Sequence, residues 1–131
     1  MTLNIRVIAP DRTVWDANAE EVILPSSTGQ LGILTGHIPL LTALDIGVMR
    51  VRIDKDWVPI VLMGGFAEID NNKITILVNG AEETIDIDIS LAQKNLEEAT
   101  AKLTQAISTK DKIEETQNIR KARARLQAVV T

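Results

Sequence analysis

The sequence has 131 residues, with Lys+Arg 14 against Asp+Glu 18, a formal net charge of -4 and no cysteine. The length allows one domain or two small ones, and the acidic balance argues against a free-standing nucleic-acid binder, which must neutralise phosphates with Lys and Arg. Absent cysteine excludes disulfides, a thiolate nucleophile and sulfur-bound zinc, and a single histidine, His37, excludes a metal site of several imidazoles. The only aromatics, Trp15, Trp57 and Phe66, are too few for a base-stacking platform.

The start, MTLNIRVIAP, has no basic region followed by an apolar stretch of signal-peptide length, so no secretion is expected. Leu3, Ile5 and Val7 alternate with Asn4, Arg6 and Ile8, the period-2 pattern of a half-buried strand. Further β-like segments follow at Glu21 to Leu24, Gln30 to Leu34, Leu40 to Leu44, Gly47 to Ile53, Trp57 to Met63, Phe66 to Asp70 and Lys73 to Val78. Turn residues separate them at Pro25 to Gly29, Thr35 to Pro39, Asp54 to Asp56 and Asp70 to Asn72. The stretch Val22 to Leu44 has no charged Asp, Glu, Lys or Arg, but its prolines, serines and glycines break it into loops and buried strands. Any membrane link is therefore expected to run through a partner. Many short strands at this spacing predict an antiparallel sandwich or barrel.

After Asp88 the pattern changes. From Ser90 to Val130 there is neither Gly nor Pro, and Ala92, Leu96, Ala99, Leu103 and Ala106 step along one helix face. Asp88 or Ser90 suits the N-cap. Ser108 to Asp111 predicts a break, with a second helix from near Lys112 carrying the stripe Ile119, Ala122, Leu126 and Val129. The expected fold is α+β: an antiparallel β-sandwich over residues 1–87, then a two-helix antiparallel hairpin over 88–131. Stripes so narrow and Ala-rich bury little area, so the hairpin is expected to attach weakly and to be able to detach.

The halves also differ in charge. Residues 1–87 carry 6 Lys+Arg against 12 Asp+Glu, and residues 88–131 carry 8 against 6. Arg120, Lys121, Arg123 and Arg125 have no acidic neighbour after Glu115, and at about 100° per residue they fan out opposite the apolar stripe. Dipole-friendly cations explain one or two of these, whereas four without a counterpart point to an acidic partner. The run GQLGILTG, Gly29 to Gly36, lacks both the P-loop ending and the dinucleotide spacing, so its glycines are expected to serve turns. Gly64 and Gly65 mark a bulge or a close backbone approach. His37 suits a contact surface better than catalysis, since no nucleophile–base pair accompanies it. The acidic pairs Glu20–Glu21 and Glu82–Glu83 are expected at solvated positions, with neighbours pointing to opposite faces.

Three blocks carry a resemblance: EEVILPSSTGQLGILTGHIPLLTAL with DIGVMRVR from Glu20 to Arg52, LMGGFAEIDNNKITILVNGAE from Leu62 to Glu82, and KARARLQA from Lys121 to Ala128. Together they resemble the epsilon-chain family of F-type ATP synthases, in its chloroplast and cyanobacterial branch, essentially end to end. The resemblance implies a non-catalytic rotor subunit with no cofactor and no metal. Its implied partners are the gamma chain, the c-ring and the alpha and beta chains, at the stromal side of the thylakoid membrane or the cyanobacterial cytoplasmic side. The implied ring-contact loop is Ser27, Thr28, Gly29, Gln30 and Gly32, with His37 close by. Thr28 and Gln30 stand where the family often has an acidic residue, which shifts the expected contact from charge towards polar hydrogen bonding. The implied inhibitory surface is the basic face of Arg120, Lys121, Arg123 and Arg125 on a hairpin that leaves the sandwich and blocks ATP hydrolysis. Some bacterial members bind ATP through a motif I-D-x-x-R-A. Here Ile87-Asp88-Ile89-Ser90-Leu91-Ala92 has Leu91 in place of the arginine, with Lys121 and Arg125 aligning as the second-helix cations. Leu91 cannot supply a bidentate phosphate contact, so weak or absent ATP binding is expected. A stand-alone sandwich adaptor with a helical tail is the alternative that composition alone permits.

Overall fold

The computed structural model describes residues 2–130. Met1 and Thr131, the outer bounds of the two expected domains, lie outside the described residues. Eight strands come first: β1 Leu3–Ala9, β2 Arg12–Ala19, β3 Glu21–Ser26, β4 Gly29–Leu34, β5 Leu40–Ile53, β6 Asp56–Asp70, β7 Lys73–Val78 and β8 Ala81–Glu83. A 3-10 turn at Thr84–Asp86 leads to helices α1, Ile89–Gln105, and α2, Thr109–Val130.

The hydrogen-bonded order is β2-β1-β7-β6-β5-β3-β4, with β8 on β6. All pairs are antiparallel except β1 with β7, which is parallel. This one sheet folds over on itself. Leu3, Ile5 and Val7 of β1 share a buried core with Val22, Leu24 of β3 and Ile33 of β4, strands distant in the order. The fold-over is made inside β5 and β6, which pair almost end to end, from Leu40↔Ile69 to Ile53↔Asp56. In β6, Ile60 and Leu62 point into the core before the Gly64–Gly65 pair, and Ala67 and Ile69 after it, so the inward parity flips. β5 flips likewise, from Leu44 to Met49 and Val51. Each long strand thus serves two layers, where separate pairs of strands were expected. Gly64 has φ 82 and Gly65 φ 153, and a Cβ on Gly65 would collide with the Leu77 carbonyl oxygen. The expected close approach is therefore real and sits at the corner.

β2 and β8 were not expected. β2 is an edge strand with half of its residues exposed and one buried, so its RTVWDANA carries little alternation. β8 is only three residues long. The two-residue hairpins at Asp54–Lys55 and Asn71–Asn72 hold positive φ at both positions, the type I′ geometry that suits sheet twist. Asp88 caps α1, its Oδ1 accepting from the Leu91 N–H at 3.1 Å. The helix break falls earlier than expected, at 106–108. Ser108 Oγ accepts the Asp111 N–H at 3.1 Å, which starts α2 at Thr109 instead of near Lys112. Among the described residues, no helix is long and apolar enough to cross a membrane.

Candidate functional site: a docked hairpin and an exposed strand tip

Helix α2 is buried on two sides. Ile119 and Ala122 of the expected stripe are buried, as are Ala124 and Ala128 on the far side. Ala124 and Ala128 rest on Val48 of β5 and Val61 of β6, with Ile46, Met63 and Ile87 around them. This is the back of the layer built from the C-terminal half of β5 and the N-terminal half of β6. α1 and α2 pack on each other. The wheel explains the double burial, because Ala124 and Ala128 lie within the arc that also holds the cations. The basic arc was expected to face away from the packing, and this corrects it: part of the arc lies against the sandwich.

Arg125 shows the consequence most directly. Its Nε and one terminal nitrogen donate to the two carboxylate oxygens of Glu82 on β8, both at 2.7 Å. The side chains are 26% and 28% exposed, and the planar fork meets the carboxylate in two parallel charge-assisted bonds. The Glu82 hydrogen bond raises the Arg125 pKa above its ordinary value; burial opposes this and the carboxylate's charge adds to it. Among the described residues, Arg120, Lys121 and Arg123 have no ion-pair partner, so Arg125 is the one of the four that is engaged. Arg120 and Arg123 are exposed. Lys121 is half-buried between the helices, near Glu98 and Glu115.

The acidic pairs are less solvated than expected. Glu21 meets Arg52 at 3.4 Å, and Glu20 accepts the Asp54 N–H at 3.3 Å on both oxygens. Glu82 is clasped by Arg125. Sequence reading missed that role because its partner lies 43 residues away.

The residues of the degenerate nucleotide motif come together only in part. Asp88, Leu91 and Arg125 line one cleft of about 290 Å³, and Lys121 lies in the neighbouring cleft. Glu82 and Asp86 share the first cleft with Asp88. Three carboxylates thus surround one guanidinium that is already paired, a poor field for a polyphosphate.

The expected contact loop forms the β3–β4 tip. Ser27, Thr28, Gly29 and Gln30 are exposed, and Gly32 is exposed on the edge strand β4. Buried Ser26 supports them: its hydroxyl hydrogen-bonds Thr28 Oγ1 at 3.2 Å and Thr42 Oγ1 at 3.1 Å. Gly29 takes φ 122 to close the turn. His37 is not part of this tip. It follows the opposite end of β4, roughly 17 Å of strand away, where Gly36 N–H donates to Asn72 Oδ1 at 2.7 Å.

A further surface went unread in the sequence. Ile8, Leu77, Phe66 and Ala43 stand in register across β1, β7, β6 and β5 on the outer face of the layer that holds β1, β7, the C-terminal half of β6 and the N-terminal half of β5. Phe66 is 56% and Leu77 53% exposed. Only the strand order aligns these four into one apolar row.

Comparison with known proteins covers both halves. The family model for the ATP synthase delta/epsilon chain beta-sandwich domain matches residues 2–84, and that for the delta/epsilon chain long alpha-helix domain matches residues 86–129. The chloroplastic ATP synthase epsilon chain of Porphyra purpurea is 77% identical over 128 residues, covering 98% of this chain and 96% of the relative. The ATP synthase epsilon chain of Thermosynechococcus vestitus is 63% identical over 131 residues, at 98% and 95% coverage. In fold, the chain is similar to one in a cryo-EM structure of the Euglena gracilis mitochondrial ATP synthase comprising OSCP, F1 and c-ring. That match has TM-score 0.86 and 22% identity over 99% of this chain and 82% of the other.

Proposed function

The chain belongs to the ATP synthase delta/epsilon family, and from that premise we propose that it is a non-catalytic rotor subunit of an F-type ATP synthase. In this reading residues 1–87 join the gamma chain to the c-ring, and residues 88–131 regulate ATP hydrolysis. The complex sits peripherally on the thylakoid membrane at its stromal side, or on the cytoplasmic side in a cyanobacterium, and this chain reaches the membrane through the ring.

Each surface has a place in that scheme. The β3–β4 tip, Ser27 to Gln30 with Gly32, offers hydroxyl, amide and backbone groups to the polar loops of the ring, with the Ser26 hydroxyl network holding it in shape. The outer row of Ile8, Leu77, Phe66 and Ala43 suits the gamma chain, because an exposed apolar patch on a small domain marks a contact surface. The hairpin is a two-state element. Docked, it lies on Val48 and Val61; released, the same helices lie along gamma and bring Arg120, Lys121 and Arg123 to acidic surface on the alpha and beta chains. A switch of this kind responds only to contacts that differ between its states. The observation that carries the reading is the make-up of the α2 seat: among the described residues, its fully buried apolar contacts with Val48 and Val61 are the methyls of Ala124 and Ala128, and one ion pair, Arg125 with Glu82, ties it to β8. Nucleotide plays little part, since Leu91 replaces the arginine and Arg125 is held by Glu82.

The test is ATP hydrolysis by enzyme depleted of this chain. Adding the full chain is expected to lower hydrolysis, and adding residues 1–87 to bind without lowering it. Arg120→Gln, Lys121→Gln and Arg123→Gln together are expected to weaken inhibition several-fold while binding to gamma persists. Equal inhibition by the triple variant would remove the basic face from the mechanism. A calorimetric titration of the chain with ATP is expected to give no micromolar binding.

A further inference from the structure

Arg125 carries a consequence that the basic face as a whole does not. Its partner Glu82 sits on β8, a strand fixed to β6 through Ile60↔Glu83, Val61↔Glu82 and Leu62↔Ala81. The carboxylate is therefore presented by the sandwich in a fixed place. Both of its oxygens are used, at 2.7 Å, in the geometry a guanidinium fork prefers. Around the alanine seat the contacts on the α2 side are methyl groups, each small in buried area. Among the described residues, this is the one ion pair joining the helices to the sandwich.

We propose that Glu82 is the positioning residue that sets the balance between docked and released hairpin, a clasp whose loss both frees α2 and uncovers a guanidinium for an acidic partner. The clasp exchanges one carboxylate for another: Glu82 when docked, a carboxylate of the neighbouring chains when released. Glu82 and Arg120, Lys121 and Arg123 then act in opposite directions. Losing the three free cations weakens the released state, whereas losing Glu82 weakens the docked state. Asp86 and Asp88 line the same cleft and leave some acidic field after Glu82 is removed, but neither meets Arg125 in a bidentate pair.

The inference rests on the hairpin acting as a switch, as proposed above, and its test separates the two. Hydrogen exchange of the intact chain is measured at α2 amides over residues 120–128 and, as an internal standard, at β7. In Glu82→Gln the α2 amides are expected to exchange about tenfold faster or more, from the usual strength of a charge-assisted pair, with β7 unchanged. Should Glu82→Gln disturb β7, Arg125→Gln makes the same comparison from the helix side. The double variant Glu82→Arg with Arg125→Glu is expected to restore slow exchange. Wild-type exchange in the single variants, or a double variant as fast as either single one, overturns the clasp. The same Glu82→Gln chain, added to depleted enzyme, is expected to inhibit hydrolysis at lower concentration. Faster exchange with unaltered inhibition keeps the clasp and overturns the inhibitory role of the released hairpin.

Discussion

Inside the sandwich, Leu3, Ile5, Leu24, Ile33, Ile60 and Ile76 lose all contact with water in one core. Among the described residues, the buried contacts of helix α2 on that sandwich are instead Ala124 and Ala128, with the Arg125–Glu82 pair beside them. Large branched side chains each contribute about 1.5–3 kcal/mol on burial, while a methyl group contributes about 0.8 kcal/mol. The two parts of one chain are thus held at very different strengths. The main core is built of strand residues, so moving the helices away from the sandwich would leave it covered. Local opening is expected first in the elements with the least buried apolar area.

Three substitutions break or sharpen this contrast, in falling order of effect. Gly65→Val forces a side chain against the Leu77 carbonyl in a backbone conformation that L-residues rarely adopt. It is expected to cost the sandwich about 4 kcal/mol or more, read as a lower urea midpoint by circular dichroism, with the helices lost in the same transition. Ala128→Glu places an unpaired carboxylate on Val48 and Val61 and is expected to cost the docked state about 3 kcal/mol. Limited proteolysis within α2 should accelerate sharply while the sandwich midpoint stays put. A shared loss of both would show that the halves are one cooperative unit. Asp88→Ala removes the α1 cap and is expected to cost about 1 kcal/mol, seen as a small loss of helical signal with the strands unaffected.

Much of the fold was legible. The alternation of Leu3, Ile5 and Val7 marks β1, the Gly64–Gly65 pair marks the corner, and Asp88 marks the start of α1. β2 was lost because an edge strand keeps water on most of its residues and shows no clean alternation. The second buried side of α2 was hidden by its size. Alanines between arginines read as a solvent face, since a methyl group adds almost nothing to amphipathic contrast. At the candidate site, the cations were visible but not their employment, because pairing across 43 residues depends on where β8 lands. The apolar row was illegible for the same reason: Ile8, Ala43, Phe66 and Leu77 become neighbours only through strand order. His37, seven positions beyond Gln30, is separated from the tip by the length of β4.

The corner in β5 and β6 has a mechanical meaning. Two layers joined by loops could slide past each other, but here two unbroken backbones pass from one layer into the other, paired along nearly their whole length. A load applied between the β3–β4 tip and the outer row of Phe66 and Leu77 travels along covalent chain cross-braced by ladder hydrogen bonds. Such a body twists as a single block. Between the two proposed contact surfaces it would act as a stiff spacer, with the helices as the less firmly packed part.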